Sequence, residues 1–513
     1  MDDYARRSTT TTPVTPTGAG AGRRVSRRAA LKGLGVIGLA TSGLGALDAL
    51  AWSPERVAHA APQDYPDIQF DLGRYVPPVR AVDGIPMAMP PVYTLFVTAQ
   101  LARPWAPSRD DQRALADALD TVEAAYPFTP AGVFMHVAYG LPYFQRLSGG
   151  LASDGLVAEY MPRFAATRQA VLQEAVPGPT DVSPLNPGVV KRAFNIPLRI
   201  EANDVLFTLR SDRLANLTDI VGWLQGSGSL GNRAVSSPAF KGLFRVTSTR
   251  AMFTQIGLPR KVAARYNLPY AGRINPQSPM WMGFFSQQAN GFGPAEIATF
   301  QGNSSARFVA MFQSGNVIRP VATGDYFYNG AIQVLAHDIL DLDAWYADDK
   351  PYAERAQLMF RSNPAPHPGY ADQHTDGGGP AALPNLVVPS APHGASDALA
   401  DAVANARLGH LQALQRATRA PDGAIVPQRV DGPGFDAMDV PDGSRQPKLQ
   451  FSAFLPSAQN FAKARRNAAA PDLSPRYVPP GHNGIEPFMT ATRRQNFLCP
   501  PRGRRAFPLL ELA

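Results

Sequence analysis

The sequence predicts an α+β protein of two halves, each running strand, helix, strand, strand, helix, strand, with the two sheets pairing into one α+β barrel. Two observations predict the layout: β-branched and aromatic runs alternate with segments of helical period, and this set of elements starts twice, near Val92 and again near Tyr326. A third, composition, supports a packed core, because 45% hydrophobic and 18% charged residues over 513 positions describe a globular chain.

Val92 to Thr98 (VYTLFVT) reads as a buried strand. Ser108 to Ala125 opens on a Ser N-cap with two Asp behind it and places Leu115, Ala118, Leu119 and Val122 on one helical face. Gly132 to Tyr139 and Asp204 to Ser211 read as the next two strands, Leu214 to Leu224 as a helix, and Phe240 to Ser248 as a fourth strand. That is the split order of a ferredoxin-like unit. In the second half, Gly330 to Ile339 is a strand, Leu342 to Phe360 contains a helix opening around Pro351, and Ser396 to Arg416 is mainly helical. Lys448 to Leu455 is a strand, Gln459 to Arg466 a helix, and Glu486 to Leu498 closes the pattern. Between these elements Pro364 to Pro392 has no periodicity and reads as a long surface loop. The division expected is therefore a leader over 1–60, an N-terminal half over 61–325 and a C-terminal half over 326–513.

The leader is read from Ser26-Arg27-Arg28-Ala29-Ala30-Leu31-Lys32, a twin-arginine motif, followed by an uncharged stretch from Gly33 to Leu47 and the A-x-A site Ala58-His59-Ala60. The apolar stretch is too short and too glycine-rich to span a bilayer, which needs about 20 strongly apolar residues. The expectation is export through the twin-arginine machinery to the periplasm, cell envelope or exterior, already folded, with no membrane span left after cleavage. Without the leader, 41 basic residues face 37 acidic ones, a net +4, and the arginine runs near the C-terminus are short and separated. No nucleic-acid partner is expected on that footprint. Cys499 is the only cysteine, so no intramolecular disulfide can form.

Among the histidines, His136 and His337 sit within strand patterns and read as satisfied core residues. His367 and His374 with Asp376, in the Pro/Gly loop, leave a mononuclear metal site as one reading. His410 is placed differently. It lies late in a helical segment, and the chain then turns through Pro421-Asp422-Gly423 and returns with Arg429. A neutral imidazole is a good axial ligand for haem iron, and an arginine returning across a turn can stand over the opposite face of the ring. Spacing alone does not select this pair.

The stretch GHLQALQRATRAPDGAIVPQRVDGPGFD, residues 409–436, resembles the proximal segment of dye-decolorizing (DyP-type) haem peroxidases, in which a His opens a short polar segment and an Arg follows after a turn. Three further stretches resemble that family in order: QVLAHDILDLDAWYADDKPYAERAQLMFR, KLQFSAFLPSAQNFAKARR and NGIEPFMTATRRQNFLCPP. The resemblance implies two ferredoxin-like halves, haem b as cofactor, His410 as the iron ligand, and Arg429 as the cation that stabilises charge developing as the peroxide O–O bond breaks. It also implies peroxide and an external reducing substrate as partners, and leaves room for a homo-oligomer.

Two departures from the family pattern stand out. The G-F-x-D-G signature corresponds here to Gly283-Phe284-Phe285-Ser286-Gln287. Gly283 and Phe284 match and would border the haem, while Ser286 stands at the Asp position and Gln287 at the second Gly. A hydroxyl cannot serve as a base near neutral pH as a carboxylate does; with Ser286 and Gln287 at the catalytic positions, the chemistry is slower, or Gln287, Asn290 or a water chain moves the peroxide proton, or the site no longer reduces peroxide. The carboxylate expected beside the proximal His is also missing, with Ser457 at its place. Two functions follow as expectations: an exported haem-dependent peroxidase-like oxidoreductase, or a non-catalytic extracytoplasmic barrel that binds haem, another small ligand or a partner protein.

Overall fold

The computed structural model describes residues 47–51 and 65–513, apart from 74, 77–79, 83–84, 88–89, 153, 165–166, 232, 236–241, 285–296, 298–307, 312–317, 321–323, 362–393 and 417–425. In the first half, strand β1 (Tyr93–Leu101) leads into helix α1 (Arg109–Ala125). Ser108 caps that helix: its Oγ accepts from Asp111 N at 3.1 Å, and Asp111 Oδ2 accepts from Ser108 N at 2.8 Å. The face it buries is the expected one, Leu115, Ala118, Leu119 and Val122. Strands β2 (Phe134–Gly140) and β3 (Val205–Ser211), helix α2 (Leu214–Leu224) and strand β4 (Phe244–Phe253) follow. The sheet order is β4-β1-β3-β2, with every neighbour antiparallel. This is a ferredoxin-like half.

The second half repeats the connectivity. Strand β5 (Ala331–Leu340) is followed by four helices, α3 (Leu342–Trp345), α4 (Tyr352–Met359), α5 (Gly394–Asn405) and α6 (His410–Gln415). Then come β6 (Gln428–Arg429), β7 (Gly432–Asp436), β8 (Gln446–Leu455), helix α7 (Ala458–Ala469) and β9 (Met489–Cys499). The order is β9-β5-β8, with β6 and β7 paired in turn along the outer side of β8. The halves join where β9 pairs antiparallel with β2, Phe497 opposite Gly140 and Leu498 opposite Tyr139.

The remaining edges, β4 and β7, meet on the far side. A Cβ on Gly434 would fall 3.0 Å from Ala251 O, and one on Gly432 would fall 2.8 Å from Thr254 Oγ1. Glycine is needed because any side chain would hold the two edges apart. The chain is thus an α+β barrel of two ferredoxin-like halves, as the sequence order implied. Its interior holds Phe96, Leu206, Leu335, Val430 and Phe454, with Phe70 stacked on Phe454 at 3.9 Å between ring centroids.

Several elements depart from the sequence reading. The segment read as mainly helical over 396–416 holds two helices, broken where Ala406 takes φ +49° and the chain restarts at Gly409. His136 is buried, as expected of a core residue, but neither ring nitrogen has a hydrogen-bond partner. Burial drives its pKa well below the usual value, so it is held neutral. Part of the expected leader also packs on the body: Leu47 is buried in the main core, and Tyr93 Oη donates to Asp48 Oδ1 at 3.0 Å. Among the described residues no helix is long and apolar enough to cross a membrane.

Candidate active site

Side chains alternate across a strand, so β5 and β8 present one set to the barrel and the other to the helices outside it. Ala336 and Asp338 of β5 and Leu449, Phe451 and Ala453 of β8 face outward, where α6 and α7 cover them. A cavity remains between sheet and helices. A second adjoins it, walled by Trp281, Met282, Phe284, Met359 and Pro433 among others. Each has a volume of ≈ 110 Å³, and the two share His410, Leu411, Arg429, Asp431, Leu449, Ile485 and Met489. They are therefore two parts of one slot, separated by their common side chains.

His410 is the first residue of α6, and that helix start is fixed by close packing. A Cβ on Gly409 would fall 2.1 Å from Phe360 O, so only glycine lets the chain pass. Gln412 locks the turn: its Oε1 accepts from Gly409 N at 3.0 Å and its Nε2 donates to Asp401 Oδ2 at 2.7 Å. Gly409→Ala is expected to cost more than about 1–3 kcal/mol, the usual range for overpacking, and to shift His410, read as a lowered denaturant midpoint.

Burial pushes the His410 imidazole down to about 4, with the Arg429 and Arg465 charges acting in the same direction against Glu486. The ring is neutral at pH 7. Its Nδ1 is sealed from solvent with no hydrogen-bond partner. Alongside runs the segment 482–486, where Gly484 N donates to Leu408 O at 2.7 Å and a Cβ on Gly484 would fall 3.1 Å from His410 N. In that segment Asn483 Nδ2 donates to Ala469 O at 2.8 Å, which leaves its Oδ1 buried and unpartnered too.

Arg429 comes from β6, opposite Ala453 of β8. Val430 turns into the barrel interior, so Arg429 and Asp431 both point out to the slot, with Nη1 of the arginine 4.0 Å from Oδ2 of the aspartate. The sequence-selected pair His410 and Arg429 therefore lines the same two cavities. Phe284 lines the second, where it packs edge-on against Trp345 and Phe360. Gly283 does not line either; it takes φ +83°, and a Cβ there would fall 3.0 Å from Tyr346 Oη. The segment is clamped by Tyr346 Oη donating to Trp281 O at 2.8 Å and Trp345 Nε1 donating to Met282 O at 3.0 Å. Ser286, Gln287 and Asn290 lie outside the described residues, as do His367, His374 and Asp376. Among the described residues no group of three or more His, Cys, Asp or Glu side chains is placed to hold a metal ion.

Ser457 has a local task. It caps α7, its Oγ accepting from Asn460 N at 3.3 Å. The carboxylates around the slot come from positions that no sequence pattern marked. Glu486 is gripped by Arg465 through two bonds of 2.8 and 2.9 Å and by Thr180. Although burial raises its pKa, the Arg465 charge more than offsets this and keeps it ionised. Asp338 is raised to about 6, chiefly by burial, with Arg494 and Arg465 opposing and Asp181 and Glu486 reinforcing.

A pKa above the ordinary carboxylate value means that the folded state favours the protonated acid. The penalty for ionising Asp338 is absent below about pH 4, grows through the interval up to 6, and is complete above it, at about 3 kcal/mol. Asp338→Asn is expected to stabilise the protein by up to that amount at pH 8 and negligibly near pH 3.5, measured by urea unfolding at both pH values.

The family of unknown function DUF7405 matches residues 152–501. No curated protein matches the chain. In structure it is similar to a DypB variant from Rhodococcus jostii RHA1 in complex with heme, with a TM-score of 0.44, 14% identity, and coverage of 81% of this chain and 96% of that one. It is also similar to a dye-decolorizing protein from V. cholerae, with TM-score 0.41, 13% identity and coverage of 80% and 94%. A third similar structure is a putative dyp-type peroxidase from Shewanella oneidensis, with TM-score 0.43, 12% identity and coverage of 83% and 96%.

Proposed function

We propose that this chain, which belongs to the DUF7405 family of unknown function, is a haem-dependent peroxidase-like oxidoreductase that uses peroxide to oxidise an external donor. The observation that carries the reading is the meeting of a neutral His410 and Arg429 on one slot whose other shared walls are largely apolar. The donor set fits haem: the neutral imidazole has one ring nitrogen free of a proton to offer a metal, and a fixed cation stands on the same slot. Haem b would supply the iron that exchanges electrons with peroxide and donor.

The residues then divide the work. His410 would hold the iron through a ring nitrogen. Arg429 would orient the peroxide and stabilise the negative charge that develops on it, and Leu449, Ile485 and Met489 would exclude water. Small-molecule sites commonly measure about 300–1,000 Å³, whereas the cavities here are ≈ 110 Å³ each. A porphyrin would have to occupy both adjoining cavities together.

The test is haem titration of the purified protein followed by a peroxide-dependent dye assay. A Soret band should form, and Arg429→Ala should lower turnover by about 100-fold or more, the usual loss when one preorganised charge-stabilising group is removed. No Soret band, or turnover unchanged in the variant, would overturn the proposal.

The small cavities also favour a second reading, a non-catalytic barrel that binds haem or a smaller apolar ligand. Haem uptake without dye oxidation at any pH from acidic to neutral would select it. Export by the twin-arginine route, from the motif at Ser26 to Lys32, belongs to the proposal in either form. Arg27→Lys with Arg28→Lys should then keep the protein in the cytoplasm with its leader uncut.

A further inference from the structure

We propose that Asp431 is the general base that takes the proton from peroxide in this slot, working as a pair with Arg429. The inference rests on the haem reading above. Asp431 lines both cavities, as do His410 and Arg429, so one carboxylate is present wherever the imidazole and the guanidinium are. Its Oδ2 lies 4.0 Å from Arg429 Nη1. Backbone alternation fixes the pairing: Val430 N donates to Ser452 O at 2.7 Å and the Val430 side chain is buried in the barrel, which leaves residues 429 and 431 side by side on the outer face. Asp338, the other carboxylate lining the slot among the described residues, borders only the first cavity, which Arg465 and Arg494 also line.

The chemistry needs this neighbour. Peroxide binds to a metal as its conjugate base, so an O–H bond must break with the electron pair left on oxygen. The proton passes to a carboxylate oxygen of Asp431, converting carboxylate and HOOH into carboxylic acid and HOO⁻, with no change of oxidation state. Arg429 receives the new negative charge at the moment Asp431 loses its own. The pair and the hydroperoxide anion together thus keep the net charge of the site while the proton moves, which avoids building uncompensated charge in an apolar slot. Ser286, at the family's carboxylate position, has no comparable capacity as a base.

Cyanide tests this without turnover, because hydrogen cyanide also must lose its proton to bind iron, whereas carbon monoxide carries none. In haem-loaded protein at pH 7, stopped-flow Soret shifts would give both association rates. Asp431→Asn should slow cyanide association by about 100-fold, the lower end of general-base effects, and leave carbon monoxide association to the reduced protein within about twofold. Asp431→Glu should recover most of the cyanide rate. Equal slowing of both ligands would make Asp431 a packing or access residue and overturn the proposal, as would an unchanged cyanide rate. Slowing in Asp338→Asn instead would assign the proton there and overturn it too. Failure of every variant and the parent to form a Soret band would overturn the haem reading itself, a result distinct from the others.

Discussion

His410→Ala is expected to remove haem binding while leaving the barrel folded. Outer partners of metal-ligating side chains are worth about 10–100-fold in affinity, so loss of the ligand itself should weaken retention by more than about 100-fold. The ring makes no protein hydrogen bond through its sealed Nδ1, and a buried polar atom left without a partner costs about 1–3 kcal/mol. Deleting it relieves that cost, which partly offsets the packing lost. A haem titration followed at the Soret position, with a thermal melt of the apoprotein alongside, would check both halves. A Soret band of parental intensity in the variant would remove His410 as ligand, whatever the melt shows.

The largest expected loss of stability is at Arg494. It is 1% exposed, Nη1 donates to Asp181 Oδ2 at 2.7 Å and to Val176 O at 3.0 Å, and the guanidinium lies 5.5 Å from the Phe461 ring centre. Burial raises the pKa of Asp181, but the Arg494 and Arg465 charges outweigh it and bring the carboxyl down to about 2. Breaking a buried pair by removing one partner strands the other charge, at about 3–5 kcal/mol. Arg494→Met should therefore lower the denaturation midpoint sharply at pH 7. Because a depressed carboxylate stabilises only above its unfolded value, the difference between variant and parent should shrink as pH falls from about 4 toward 2. Adding Asp181→Leu should return much of the loss. A single variant within about 1 kcal/mol of the parent would show that the pair contributes little.

The secondary structure was legible where local chemistry and tertiary packing agree. Ser108 and Asp111 form a capping box because both lie at the helix start that the sequence marks, and Leu214–Leu224 has an apolar face that suits the sheet it covers. Strand β7 was not legible, since Gly-Pro-Gly-Phe-Asp reads as a turn until a second strand edge is pressed against it. The break between α5 and α6 was hidden too, since an alanine, Ala406, takes the left-handed conformation that a sequence leads one to expect of glycine.

From the linear chain alone come the two-fold ferredoxin-like order, the lone Cys499 and the twin-arginine motif, while His410 with Arg429 came only through the resemblance to a known family. Periodicity, capping and covalent composition are properties of neighbours in sequence, and they survive without coordinates. The folded chain alone decided that Asp431 and Asp338 border the slot, that Glu486 is a carboxylate whose charge reaches His410, and that Gly484 packs beside that residue. Those relations join residues up to tens of positions apart on different strands and turns. They exist because strand register and helix packing bring them together, and register is set by the barrel as a whole.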